Sequence, residues 1–158
     1  MTTEGWVALL DQSVEAFNAY RAAHPEEPVV LFEADLSWKN LAHVNFEGAD
    51  LRRSRMEGCN LAGARFDGAR MEYANLRTAK LSGASLRDIT LKSGTLQGAD
   101  LRGAALHGAS LKRVSLCDAD LAGAVFTGAD LSEADLRWAN FELDALSDVD
   151  LSSARLRS

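Results

Sequence analysis

The side chains best suited to chemistry are few and scattered. Three histidines, His24, His43 and His107, and two cysteines, Cys59 and Cys117, are the side chains best suited to metal ligation or nucleophilic attack. No pair of them stands at a metal-ligand spacing with a carboxylate or thiol, and neither cysteine has an activating base nearby. The sequence holds no Walker A loop and no G-x-G-x-x-G turn, so nucleotide phosphates lack a glycine cradle. These absences point to a protein that is not an enzyme and holds no cofactor or metal. What remains for function is the arrangement of charge and exposed aromatic rings, and that depends on the elements that position them.

Composition bounds those elements. The 158 residues include 17 Lys+Arg against 23 Asp+Glu, a formal net charge of −6, with 47% apolar residues, as suits one modest acidic domain. No apolar run approaches the length of about eighteen that a membrane helix needs. The opening MTTEGWVALLDQ lacks the basic flank and apolar stretch of a secretory signal. A cytoplasmic location with reduced thiols is expected.

The organising feature is a repeat. Every fifth residue from Leu31 to Leu156 is Leu, Phe or Met, 26 in succession. Two residues before each of these, from Ala34 to Ala154, 16 of 25 positions are alanine, and ten of the twelve glycines lie two residues after one. The unit reads Ala-(Asp/Asn)-Leu-X-Gly, as in Ala49-Asp50-Leu51 and Ala129-Asp130-Leu131. A step of five advances about 140° net around an α-helix, which smears the leucines over the cylinder. On a flat strand an odd step throws successive leucines to opposite faces. A bend in every repeat solves both problems, and a turn with positive φ at its third residue favours the glycine found there. Leu and Ala then supply one large and one small inward group per side, while Ser and Asp fall at outward, solvated positions.

These motifs resemble the pentapeptide-repeat family over about residues 31 to 158. The resemblance implies an all-β fold, a right-handed quadrilateral β-helix in which each five-residue unit forms one side of a square coil. Each coil then takes twenty residues, giving about six coils and a rod roughly 30 Å long at about 4.8 Å per coil. The domain reading is an N-terminal helical cap over residues 1–30 and a β-helix over residues 31–158.

Folding the chain at that period sorts side chains into columns. Phe46, Phe66, Leu86, Leu106, Phe126 and Leu146 form one inward column. Gly63, Gly83, Gly103 and Gly123 line one corner and Gly48, Gly68, Gly108 and Gly128 the next, interrupted by Asp88. Both corners are expected to be tight. A third corner carries Glu33, Arg53, Tyr73, Ser93, Arg113 and Glu133, where bulky residues would strain a positive φ, so a different, looser turn is expected there. The candidate partner-binding residues Arg52, Arg53, Arg70, Tyr73, Lys92, Lys112 and Arg113 share one side or its corner, a basic stripe interrupted by Glu72 alone. Trp38 and Trp138 occupy matching corner positions five coils apart and are candidate aromatic contacts. Cys59 replaces an inward alanine and should be buried and inert; Cys117 falls at an outward position and should be open to reaction.

Charge also segregates along the chain: residues 52–113 carry net +7 and residues 114–150 net −8. Asp118, Asp120, Asp130, Glu133, Asp135 and Asp150 are the outward acids of that candidate acidic end.

Both ends of such a rod would expose unpaired backbone. Trp6, Leu10, Val14, Phe17 and Tyr20 recur at spacings of four, four, three and three, predicting one amphipathic helix from about Gly5 to Ala23 that covers the first coil and stops at His24-Pro25. Near the other end, Asp144 takes an inward small-residue position and Leu143 the place of a glycine. An inward charge discourages edge pairing; alternatively, the last coil docks end to end with a copy of itself as a homodimer.

Two function classes follow. The first is a rigid, non-catalytic scaffold that binds an unidentified protein partner. The alternative comes from the resemblance: some members imitate DNA and protect a type II topoisomerase, DNA gyrase, from an inhibitor or toxin. Those members are strongly acidic dimers joined through a C-terminal helix, sometimes with a projecting loop. This chain departs from them: its coil region is near neutral, no C-terminal helix is visible and the repeat never breaks for a loop. Direct nucleic-acid binding has the stripe in its favour but is opposed by the acidic end, and no membrane association is expected.

Overall fold

A computed structural model describes residues 1–156. Residues 157 and 158, the last of the expected β-helix region, lie outside the described residues. The element order is α1 (Thr3–Gln12), α2 (Val14–Ala23), then a succession of five-residue sides that is broken once, by a 3-10 turn at Leu143–Leu146.

Each side repeats one backbone plan. The N–H of its fourth residue bonds the C=O of its first, as Ala64 does to Leu61 at 3.0 Å, and its last residue pairs in parallel with the residue twenty positions on. The bridges run from Val30↔Asp50 to Asp135↔Arg155. Four sides therefore close each coil, and a bend follows every bridge. That is why the β-structure consists of single bridged residues rather than named strands.

Three ladder bonds link each side to the next coil: Leu61 N–H to Lys80 C=O at 2.7 Å, Gly63 N–H to Ser82 C=O at 3.0 Å and Lys80 N–H to Cys59 C=O at 2.9 Å. The inward Leu, Phe, Met and Ala side chains from Leu31 to Leu136 form one buried cluster. Side chains of alternating bulk fill so narrow an interior densely.

The corners contradict one expectation. Glu33, Arg53, Tyr73, Ser93, Arg113 and Glu133 do not form a looser turn; their φ values lie between 56° and 62°, close to the 63° to 68° of Gly63, Gly83, Gly103 and Gly123. The ladder decides this. Each corner N–H must reach a carbonyl one coil on, as Arg53 N–H does to Glu72 C=O at 2.9 Å. A left-handed residue costs about 1–2 kcal/mol, comparable to the hydrogen bonds that the common geometry keeps, and an outward side chain adds no clash. Glycine does more at Gly58, where a Cβ would lie 2.1 Å from the Trp38 ring.

The cap is two helices rather than the single one expected. Ser13 adopts φ −174° and ψ 160°, ending α1, and its side chain accepts the Ala16 N–H at 2.9 Å to start α2. The break folds both helices over the first coil. Trp6 and Phe17 are fully buried and begin a run of aromatic contacts: Trp6 to Phe17, Phe17 to Phe46 and Phe46 to Phe66, each with ring centroids 5.5 Å apart.

Cap side chains also complete the exposed edge of the first coil. Asn18 Oδ1 accepts the Asn45 N–H at 2.9 Å, where the next coil's Arg65 N–H finds the Val44 carbonyl. Arg21 donates to the Asn45 and Glu47 carbonyls, the latter at 2.8 Å, as Phe46 and Gly48 N–H do to Arg65 and Asp67 one coil on. Two side chains thus stand in for a missing side.

The two charged residues at inward small positions behave differently. Lys39, in the first coil, reaches Asp11 of α1 as an ion pair, and its side keeps its turn and its Asn40↔Asn60 bridge. Asp144, in the last coil, is exposed rather than inward, because Leu143–Leu146 winds into the 3-10 turn. Among the described residues no cation pairs with it, and burying a lone carboxylate would cost more than the ladder bonds it would allow. Leu146 still reaches the core, while Leu143 is 82% exposed.

Candidate functional site

The expected basic side exists in register: Arg52, Lys92 and Lys112 share one column of the twenty-residue spacing, Arg53, Tyr73 and Arg113 the corner column beside it, and Arg70 the adjoining bridge column with Asp50 and Thr90. Its charge is largely answered locally. Arg52 forms a two-pronged pair with Asp50, at 2.8 and 2.6 Å, and Arg53 lies 3.7 Å from Glu33. Lys112 and Arg113 converge on Glu133 at 3.3 and 2.6 Å. Glu72 is therefore not the sole interruption: Asp50, Glu33 and Glu133 reach the stripe as well. Among the described residues Arg70 and Lys92 have no ion-pair partner.

Aromatic rings give this side a distinct upper part. The Arg52 guanidinium lies 5.5 Å from the Phe32 ring centroid and that of Arg53 5.7 Å from Tyr73. Phe32, Arg52, Arg53, Glu72 and Tyr73 line a shallow concavity of about 390 Å³, with Tyr73 60% exposed. Phe32 went unnoticed in the sequence, although it stands twenty residues before Arg52 in the same column. Arginine stacked on exposed rings keeps donors and apolar area available together.

The acids of the last coils serve local structure first. Asp130 accepts the Ser132 N–H at 2.9 Å and Asp150 the Ser152 N–H at 2.9 Å, each two residues on. Asp35, Asp50, Asp100, Asp120 and Asp135 do the same, and so do Asn45, Asn60 and Asn75. This Asx turn explains the Asp/Asn of the repeat: the side chain holds a turn N–H that the ladder leaves free.

Where Arg follows two residues later, the carboxylate gains an ion pair, as in Asp135 with Arg137 at 2.7 Å. The hydrogen bonds from Arg137 hold the Asp135 carboxyl far below the usual range, against the opposing effect of burial. Glu133 is lowered likewise, first by Arg113 and then by Lys112. Asp120 accepts from Asn140 at 2.9 Å and lies 3.7 Å from Arg102, and Asp118 sits at a corner with φ 59°.

Trp38 and Trp138 are 72% and 59% exposed, on one corner column and about 24 Å apart over five coils. Trp38 lies across Gly58, and Trp138 carries the Arg137 guanidinium 5.3 Å from its ring centroid. Cys59 is buried and its Sγ–H donates to the Leu36 carbonyl at 2.9 Å; burial pushes its thiol up. Cys117 corrects an expectation. Though at an outward position it is only 8% exposed, beside the Asp135 and Arg137 pair that closes over it. Among the described residues no group of His, Cys, Asp and Glu is placed to hold a metal ion, and no helix is long and apolar enough to cross a membrane.

The family model described as pentapeptide repeats matches residues 30–68, 69–108, 84–121 and 109–142. The chain belongs to the pentapeptide-repeat family. A pentapeptide repeat protein from the Arabidopsis thaliana thylakoid lumen is 33% identical over 63% of this chain and 72% of that one, with a TM-score of 0.51. The pentapeptide repeat protein Rfr23 from the cyanobacterium Cyanothece 51142 shares the fold at 21% identity and a TM-score of 0.65, over 79% of this chain and 97% of that one. QnrB1, a plasmid-mediated fluoroquinolone resistance protein, is 22% identical over 83% of this chain and 91% of that one, with a TM-score of only 0.43. No curated protein matches the chain. Pentapeptide repeats account for the square coil; the aromatic and arginine side is specific to the residues this chain places on it.

Proposed function

We propose that this right-handed quadrilateral β-helix is a non-catalytic scaffold that binds a protein partner through the side bearing Phe32, Arg52, Arg53 and Tyr73. The observation that carries the reading is the pair of guanidiniums stacked on exposed rings over a shallow concavity. Tyr and Arg are enriched among residues that dominate binding energy, because each offers large rigid contact area with a polar tip. The ladder holds the four residues at fixed spacing, so little ordering entropy is lost on association. A cytoplasmic setting suits the two free thiols.

Mimicry of DNA toward a type II topoisomerase would require a free acidic ladder. Glu133 and Asp135 are tied to Arg113, Lys112 and Arg137, which weighs against that alternative. Direct nucleic-acid binding is disfavoured for the converse reason, since most of the stripe's cations are already paired.

The test is capture of a partner by the wild-type chain and by Arg53→Ala with Tyr73→Ala, both immobilised at equal density. Loss of one defined partner with the fold intact by circular dichroism supports the reading. A partner retained fully by the double variant would move the interface elsewhere.

A further inference from the structure

The side of the rod that carries Phe46 and Phe66 is completed at the cap end by Asn18 and Arg21 and left incomplete at the other. In the interior of that side, Leu106 N–H bonds Val125 C=O at 2.7 Å and Gly108 N–H bonds Thr127 C=O at 3.0 Å. One coil on, the 3-10 turn has withdrawn the matching carbonyls, and Ala145 N–H turns back to Glu142 C=O at 3.0 Å. Among the described residues the N–H groups of Gly123, Phe126 and Gly128 have no hydrogen-bond partner. A cleft of about 200 Å³ opens between residues 124–127 and 144–149. Val125 stands exposed at its edge.

We propose that this cleft binds an extended peptide segment carrying lysine or arginine, which adds the missing stretch of parallel ladder. Two unpaired N–H groups two residues apart on one edge, Phe126 and Gly128, match alternate carbonyls of an extended chain, as the interior coils show. Charge selects among the acceptors that could use those donors. Asp144 and Asp148 line the cleft and Glu142 precedes it, and none of the three has an ion-pair partner among the described residues. A carboxylate or phosphate ligand would face all three. Neutral amide carbonyls flanked by cationic side chains satisfy the donors and the acids together. The net charge of −8 over residues 114–150 draws such a segment to this end of the rod. The inference is independent of the aromatic side, which lies on another side of the coil.

The experiment titrates the full chain with a fluorescein-labelled, end-blocked peptide of alternating lysine and valine, read by anisotropy, while amide exchange is followed at Phe126 and Gly128. Saturable binding is expected, weakened by salt, with both amides becoming protected. Asp144→Ala, which lets the chain's own side close, should weaken binding by at least about tenfold. Asp148→Lys leaves the side open and should weaken it through charge alone. The proposal is overturned if a glutamate–valine peptide binds as well, or if binding leaves the two amides unprotected. It also fails if both amides are already protected in the free chain, whether by a second copy or by the chain's own closure.

Discussion

Replacing Asp144 by Ala should rebuild the last coil. The substitution removes a charge that has no ion-pair partner among the described residues at an inward position of the repeat, in contrast to Lys39, which pairs with Asp11. Closing the side would give Gly123, Phe126 and Gly128 N–H groups the carbonyls of Glu142, Ala145 and Ser147, at the 2.7 to 3.0 Å seen for Gly103, Leu106 and Gly108. Each net backbone bond is worth about 0.5–1.5 kcal/mol, so three contribute about 1.5–4.5 kcal/mol. The two 3-10 bonds lost, Ala145 to Glu142 at 3.0 Å and Ser147 to Asp144 at 3.3 Å, are offset by the turn and ladder bonds that a regular side makes, as Ala124 N–H to Leu121 C=O at 2.9 Å and Val125 N–H to Ala104 C=O at 3.0 Å, which leaves a left-handed conformation newly imposed on Leu143 at a cost of about 1–2 kcal/mol. The expected net gain is about 1–2 kcal/mol. Adding Leu143→Gly relieves the backbone cost and should raise it further. Because a solenoid end can fray without melting the whole, the sensitive assay is amide exchange at Phe126 and Gly128, with the melting temperature alongside. Asp148→Ala, at an outward turn position, should change neither. Unaltered exchange at both amides in the Asp144→Ala, Leu143→Gly chain would refute the claim that the Asp144 charge opens the side.

At the other end, Arg21→Ala removes bonds to Asn45 and Glu47 and should destabilise by about 1–3 kcal/mol in chemical denaturation, while deleting residues 1–28 exposes Phe46 and should cause aggregation visible by light scattering. Gly58→Ala should cost clearly more than Gly48→Ala, because only the first drives a Cβ into Trp38; adding Trp38→Ala should bring the two to similar melting temperatures. Asp135 has a carboxyl held lower in the folded chain than in the unfolded one, so its contribution is present above the ordinary Asp value of about 3.9 and is lost as pH falls through the folded value. Acid titration of stability should therefore be shallower below about pH 4 in Asp135→Asn than in the wild type.

The repeat told which side chains go inward, because a bend every five residues fixes the fate of each position locally and, Lys39 apart, Leu31 to Leu136 obey it. The cap's apolar face was equally legible, as Trp6, Leu10 and Phe17 are spaced for burial against one surface. The break at Ser13 was within reach, since a serine followed by an acid two residues on is a helix-start signal, but the apolar spacing ran straight through it. Other features depended on residues twenty apart meeting in space. Local preference argues against a positive φ at Arg53 or Tyr73, yet the ladder imposes it, because a cooperative set of backbone bonds outweighs the strain of one corner. Arg113 reads as a free cation until Glu133 lies beside it, and Cys117 as a free thiol until Arg137 and Asp135 close over it. Lys39 and Asp144 occupy the same inward place in the repeat, and only the tertiary structure decides that one keeps its coil and the other opens it. The reason is electrostatic: Lys39 is long enough to carry its charge out to Asp11 at the surface, whereas the short Asp144 carboxylate stays in water only if its side opens, and such surroundings are a property of three-dimensional neighbours, not of sequence position.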